Sequence, residues 1–174
     1  MLSGRQRGFT LVELTLAIAL TALLIALAVP SFKVMLANAQ LRTAAQALHD
    51  GLQLARVEAI RRNERTIFTK NAQSGWTVTV EAGGAVVQSR SASEGSPQAT
   101  VAVAPAGATQ VSFNSLGRVV PNTDASATMT QLDVDVPASL IAAADSKELR
   151  ITVSTGGAVR LCDPNAAAGL GAAC

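Results

Sequence analysis

The sequence predicts an α+β chain in which one long N-terminal helix packs on an antiparallel β-sheet domain. Three observations carry that reading. Residues 9–30 are apolar apart from one charge, Glu13. A one-sided helical pattern then continues to Asn63. From Arg65 onward, short segments of strand character follow one another with no helix between them, which argues for α+β rather than alternating α/β.

The apolar run is taken first. No residue from Leu14 to Val29 is charged, and a run of that length is about enough to cross a bilayer core as a helix. Lipid does not tolerate irregular backbone, so helix is the only sensible conformation. Thr15 and Thr21 can bond back to helix carbonyls. A carboxylate at the end of such a helix is costly unless it lies at the interface or has a partner, so Glu13 calls for an explanation. The leader carries Arg5 and Arg7. By the positive-inside rule it stays cytoplasmic while the remainder crosses. A secretory signal peptide is a rival reading, with Ala26-Leu27-Ala28 as its cleavage site, but its apolar core would not begin with an acid. A plain single-pass anchor is the other rival.

Pro30 lies inside the pattern and is expected to kink the helix without ending it. Leu41, Ala45, Leu48, Leu52, Ala55 and Ala59 form one stripe. Arg42, Gln46, Asp50, Gln53 and Arg56 fall off it. Glu58 and Arg62 make an i,i+4 pair, and Arg61 and Arg62 suit the negative end of the helix dipole. A helix from Phe9 to Asn63 would be roughly 80 Å long. Its second half is one-sided and must lie on the rest of the chain.

The strand segments follow. Thr66–Thr69 and Trp76–Val80 are strands, and Gly83-Gly84 turns the chain into Ala85–Val87. Ser89 to Pro97 reads as loop. Thr100–Val103, Gln110–Phe113 and Arg118–Val120 are short strands, with turn chemistry at Asn114–Gly117. Met129 to Val136 alternates, which puts Asp133 and Asp135 on a solvated face. Residues 137–146 read as a helical turn or loop. Leu149–Val153 and Val159–Leu161 form a hairpin around Ser154–Gly157. The helix's second half is expected to cover one sheet face.

Composition narrows the function classes. The chain has 174 residues, 49% hydrophobic but only 3% aromatic, so the core is built from Ala, Val, Leu and Ile. A net charge of +2 is too small to imply a polyanion partner by itself. Cys162 and Cys174 are closely spaced behind a membrane segment, which suggests an oxidising compartment and one disulfide. His49 is the sole histidine, on a helix beside Asp50. No Gly-x-Ser-x-Gly element accompanies it, two cysteines and a distant histidine do not make a zinc site, and the Gly-Gly pairs fit hairpins rather than phosphate loops. The sequence therefore reads as a non-enzyme without catalytic residues, metal or cofactor.

Arg7-Gly8-Phe9-Thr10-Leu11-Val12-Glu13 resembles the processing motif of type IV prepilins and type II secretion pseudopilins. The resemblance implies a pilin fold and a set of roles. A prepilin peptidase would cut between Gly8 and Phe9, Phe9 would be N-methylated, and Glu13 would meet the N-terminal amine of a neighbouring subunit during assembly. Residues 1–8 become the leader, 9–30 the transmembrane and assembly segment, 31–63 the amphipathic half-helix and 64–174 the β-rich domain.

A second resemblance, to the FimT/GspH group of minor pilins, rests on three stretches. They are Leu52–Asn63, Phe113-Asn114-Ser115-Leu116-Gly117-Arg118, and Gly157-Ala158-Val159-Arg160-Leu161-Cys162-Asp163-Pro164. The Cys-Asp-Pro favours the pilus branch over the secretion branch. What this implies is a minor pilin of a type IV pilus. It would be single-pass in the inner membrane with a periplasmic C-terminal domain, and then join other pilin subunits in the filament. A minor pseudopilin of type II secretion is the alternative. A DNA receptor for natural transformation is an alternative of another class. Some members carry Gly-Arg-x-Arg near the C-terminus in connection with DNA. Here Ala158 replaces the first arginine, leaving Arg160, with Arg150 and Arg118 as further DNA contacts.

Overall fold

The computed structural model describes residues 8–167 and 173–174. Helix α1 spans Leu11–Arg62 without a break. It begins where the Thr10 hydroxyl accepts a bond from the Glu13 amide at 3.2 Å, and it ends at Asn63 in the left-handed region, φ 53°. Asn tolerates that conformation better than most residues and so stops the helix. Pro30 sits inside α1, and helix is assigned on both sides of it.

The stripe read from the sequence is the buried face. Leu41, Ala45, Leu48, Leu52, Ala55 and Ala59 are each fully buried. One residue breaks the local rule for helices: Gly51, which costs about 1 kcal/mol relative to alanine in a helix interior. A Cβ there would stand 2.8 Å from the Trp76 ring and 2.9 Å from that of Phe68. The two rings stack at 6.0 Å against this gap.

Among the described residues nine strands follow: β1 (Thr66–Lys70), β2 (Trp76–Val80), β3 (Val86–Arg90), β4 (Thr100–Ala104), β5 (Gln110–Phe113), β6 (Val119–Val120), β7 (Gln131–Asp135), β8 (Leu149–Val153) and β9 (Val159–Cys162). They make two antiparallel sheets, not one. The first has the order β3-β2-β1-β5-β6 and the second β4-β7-β8-β9. Helix α1 packs on both, touching β1, β2 and β5 of the first and β7, β8 and β9 of the second. Alternation in a strand shows which face is inward but not which sheet it joins. That is why the sequence suggested a single sheet.

Two smaller expectations are corrected. β3 runs through Ser89 to Arg90, paired with Thr77 and Trp76, where the sequence suggested loop. Serine is a weak strand former, but the ladder to β2 overrides that preference. Asp133 and Asp135 are only partly solvated. Both are half-buried. Arg150 donates to Asp133 at 2.5 Å, and Asp135 accepts from the Ser146 hydroxyl.

Candidate functional site

Residues 8–33 are exposed throughout. Gly8 has open space around it, and Phe9 is 83% exposed. α1 is long and apolar enough to cross a membrane, and none of its most apolar window is buried. The structure adds a role for Thr10. Thr10 and Glu13 stand in the spacing of a capping box, and the Thr10 hydroxyl satisfies one of the free amides of the first turn. Glu13 also lies where the helix dipole favours an anion. Arg5 and Arg7 lie outside the described residues.

The three stretches of the second resemblance meet in space near the C-terminal end of α1. Arg56, from the first, donates its Nε to the Gly117 carbonyl at 3.2 Å. Gly117, from the second, has φ 70°, and Gly157, from the third, has φ 83°. A Cβ on Gly157 would lie 1.8 Å from the Gly117 carbonyl oxygen and 3.3 Å from Arg56 Nε. The approach therefore needs glycine both for backbone conformation and for space. Asn114 shapes the loop. Its Oδ1 accepts from the Leu116 and Arg118 amides, each at 3.0 Å. The Val119 amide then reaches the Thr155 carbonyl at 3.2 Å, bridging the first sheet to the turn of the second. The sequence placed Arg56 off the buried stripe, and it is half-buried because it fills this junction.

Two residues further on, Glu58 is buried. Arg61 donates to it at 2.6 Å and Arg62 at 2.7 Å. The hydrogen bonds from Arg61, then Arg62, hold its carboxyl down to about 2 from an ordinary 4.5, against the opposing effect of burial.

The arginines expected to touch DNA are not equivalent. Arg160 is exposed on β9, opposite Thr152 of β8. Arg118 is exposed at the end of the Asn114 loop. Neither has an acidic partner among the described residues. Arg150 is engaged by Asp133, which raises its pKa, so it does not belong with the other two. At the end of the chain a disulfide joins Cys162 and Cys174, with Cα atoms 5.1 Å apart. His49 Nδ1 lies 3.4 Å from the Asp50 carboxylate on the helix surface.

The family model of the type II transport protein GspH matches residues 44–167, which include all of this junction. The chain belongs to the GspH family. The prokaryotic N-terminal methylation motif matches residues 3–29. The GspH fold seen here is similar to the crystal structure of the type IV minor pilin FimU of Pseudomonas aeruginosa, at 20% identity over 74% of this chain and 97% of that one, TM-score 0.52. It is also similar to the minor pseudopilin EpsH from the type 2 secretion system of Vibrio cholerae. That match has 17% identity over 73% of this chain and 99% of that one, TM-score 0.50. At such identities the likeness concerns fold. No curated protein matches the sequence. As a GspH-family chain with an N-methylation motif and a pilin fold, the protein is a subunit of the minor pilin and pseudopilin class, which serves type IV pili or type II secretion.

Proposed function

We propose that this GspH-family protein is a minor pilin of a type IV pilus. Prepilin peptidase would remove residues 1–8, and the new N-terminus at Phe9 would be methylated. The mature protein would wait in the inner membrane on residues 9–30 with its β-rich domain in the periplasm, and then enter the filament among other pilin subunits. It would act as a structural subunit, not an enzyme. The observation that carries the reading is Glu13, a single carboxylate in an exposed apolar helix, four residues after an exposed Phe9. A carboxylate in that setting asks for a cationic partner once the helix is packed among others, and a neighbour's N-terminal amine is one.

Co-expression with a prepilin peptidase, followed by intact-mass analysis, tests processing. Loss of residues 1–8 with methylation of Phe9 is expected. Cleavage after Ala28 would replace the pilin reading with a secreted protein. Glu13→Ala should be processed normally yet fail to enter filaments. The Cys162-Asp163-Pro164 closure supports the pilus branch, and pull-down of type II secretion components in place of pilus subunits would reverse that choice.

A second reading, DNA binding, draws support from Arg118 and Arg160, two exposed cations on segments joined through Val119–Thr155. With Arg150 engaged elsewhere, two phosphate contacts remain, so binding should be weak and non-specific, with a log–log salt slope of about −2. Arg160→Ala should remove about one unit of that slope, and Ala158→Arg should strengthen binding. No mobility shift in low salt, for either the parent or Ala158→Arg, would dispose of this reading.

A further inference from the structure

The helix surface does not turn polar where the charge-free run ends. Beyond Pro30, Phe32, Met35 and Leu36 are 59%, 62% and 50% exposed. They prolong the exposed apolar surface of Leu11–Val29 past the point where a membrane helix ordinarily stops. A loop from the second half of the chain is held against this same turn. Asn38, buried in α1, donates to the Asp145 carbonyl at 2.9 Å and accepts from the Lys147 amide at 2.9 Å. That clasp fixes two residues beside the helix. Leu140 lines a groove with Lys33 and Leu36. Lys147 lines another with Ser31, Met35 and Arg42.

The charges around these apolar residues are one-sided. Lys33, Arg42 and Lys147 have no acidic partner among the described residues. Asp145 is the one exposed acid on the loop, and Glu148 lies close enough to Arg150 to raise its pKa.

Depth gives the arrangement a meaning. Leu11 to Val29 rises about 28 Å along a helix axis, which matches a hydrocarbon core of about 30 Å. The next turn, with Phe32 and Lys33, then falls among the headgroups, which add about 5–7 Å on each side. Apolar side chains that dip to the acyl boundary, flanked by cations at phosphate depth, make the pattern by which protein surfaces hold anionic lipid.

We propose that this membrane-proximal collar, with apolar residues Phe32, Met35, Leu36 and Leu140 and cations Lys33 and Lys147, is a binding site for anionic phospholipid headgroups. The collar seats the β-rich domain on the membrane surface while the subunit is anchored. The inference rests on the reading that residues 11–29 span a bilayer. Lipid is favoured over a neighbouring subunit as the occupant because the apolar surface continues that of the span and the cations sit at its rim.

The test uses the full chain reconstituted in phosphatidylcholine vesicles, with and without phosphatidylglycerol, the lipids being brominated near the carbonyl end of their acyl chains. Leu140→Trp reports on the collar and Leu20→Trp on the span. The natural Trp76, 3% exposed against Gly51, is the unquenched reference. Leu20→Trp should be quenched in both lipids, and Leu140→Trp chiefly when phosphatidylglycerol is present. Adding Lys33→Gln and Lys147→Gln should weaken that lipid preference by about fivefold per cation. A quenched Leu20→Trp beside an unquenched Leu140→Trp would overturn the proposal and leave the collar to a protein partner. Quenching at residue 140 that ignores lipid charge and the double substitution would overturn it too. An unquenched Leu20→Trp would instead overturn the membrane span.

Discussion

Gly157→Ala is the substitution whose consequence the structure fixes most closely. Two costs apply. The residue has φ 83°, and a left-handed conformation costs an alanine about 1–2 kcal/mol. Its Cβ would also lie 1.8 Å from the Gly117 carbonyl oxygen, where a non-bonded contact needs more than 3 Å, so one of the two loops must move. Movement breaks the Arg56–Gly117 bond and the Val119–Thr155 bond, each worth about 1 kcal/mol net. The sum is about 3–4 kcal/mol, or roughly a 10 °C fall in Tm for a chain of this size. The protein supplies its own controls. Gly83→Ala has φ 78° but open space around it, so it should show the conformational cost alone, about 1–2 kcal/mol. Gly156 has an ordinary φ, with the nearest atom 3.8 Å away, and Gly156→Ala should be close to neutral. Urea unfolding of the full chain in detergent, followed by the fluorescence of the single tryptophan, ranks the three. If Gly157→Ala were no worse than Gly83→Ala, the junction would not hold the two sheets together.

Three further outcomes follow. Gly51→Ala should destabilise by about 1–3 kcal/mol despite alanine's better helix propensity, because the new methyl meets the Trp76 ring; a rise in Tm would show that the ring can move aside without loss. Glu58 has a depressed carboxyl pKa, so the stability it supplies is full above about pH 4.5 and lost as pH falls through about 2. Glu58→Gln should therefore cost about 1 kcal/mol at neutral pH, a figure discounted for the exposed Arg61. The gap should close in acid, and a gap independent of pH would remove the charge from the explanation. Reduction of Cys162–Cys174, which lie 12 residues apart, should lower stability by about 3 kcal/mol in the chain-entropy treatment, and an unchanged midpoint under reductant would mean that the tail is held by other contacts.

The helix was legible because its two signals are local. A charge-free run and a stripe at steps of three and four need no knowledge of the partner surface. Strand placement was legible for the same reason wherever alternation was clean, as in Trp76–Val80, whose bounds agree with the observed strand. The split into two sheets was not legible. It is set by which strand pairs with which across long separations, such as β1 with β5 and β4 with β7.

The junction shows a different limit. Arg56, Gly117 and Gly157 each had a bland local reading: a polar helix position, a turn glycine and a hairpin glycine. What distinguishes them is a contact between distant segments, 61 residues apart for Arg56 and Gly117, and no single window contains it. Two glycines that tolerate positive φ can also be approached closely, and only the fold decides whether anything approaches. Gly83, with the same φ preference and nothing nearby, is the counterexample within this chain. The same reasoning separates Arg150 from Arg160. Both are strand arginines in the sequence, but register places Asp133 opposite Arg150 and Thr152 opposite Arg160. One cation is neutralised by its cross-strand neighbour, and the other faces solvent.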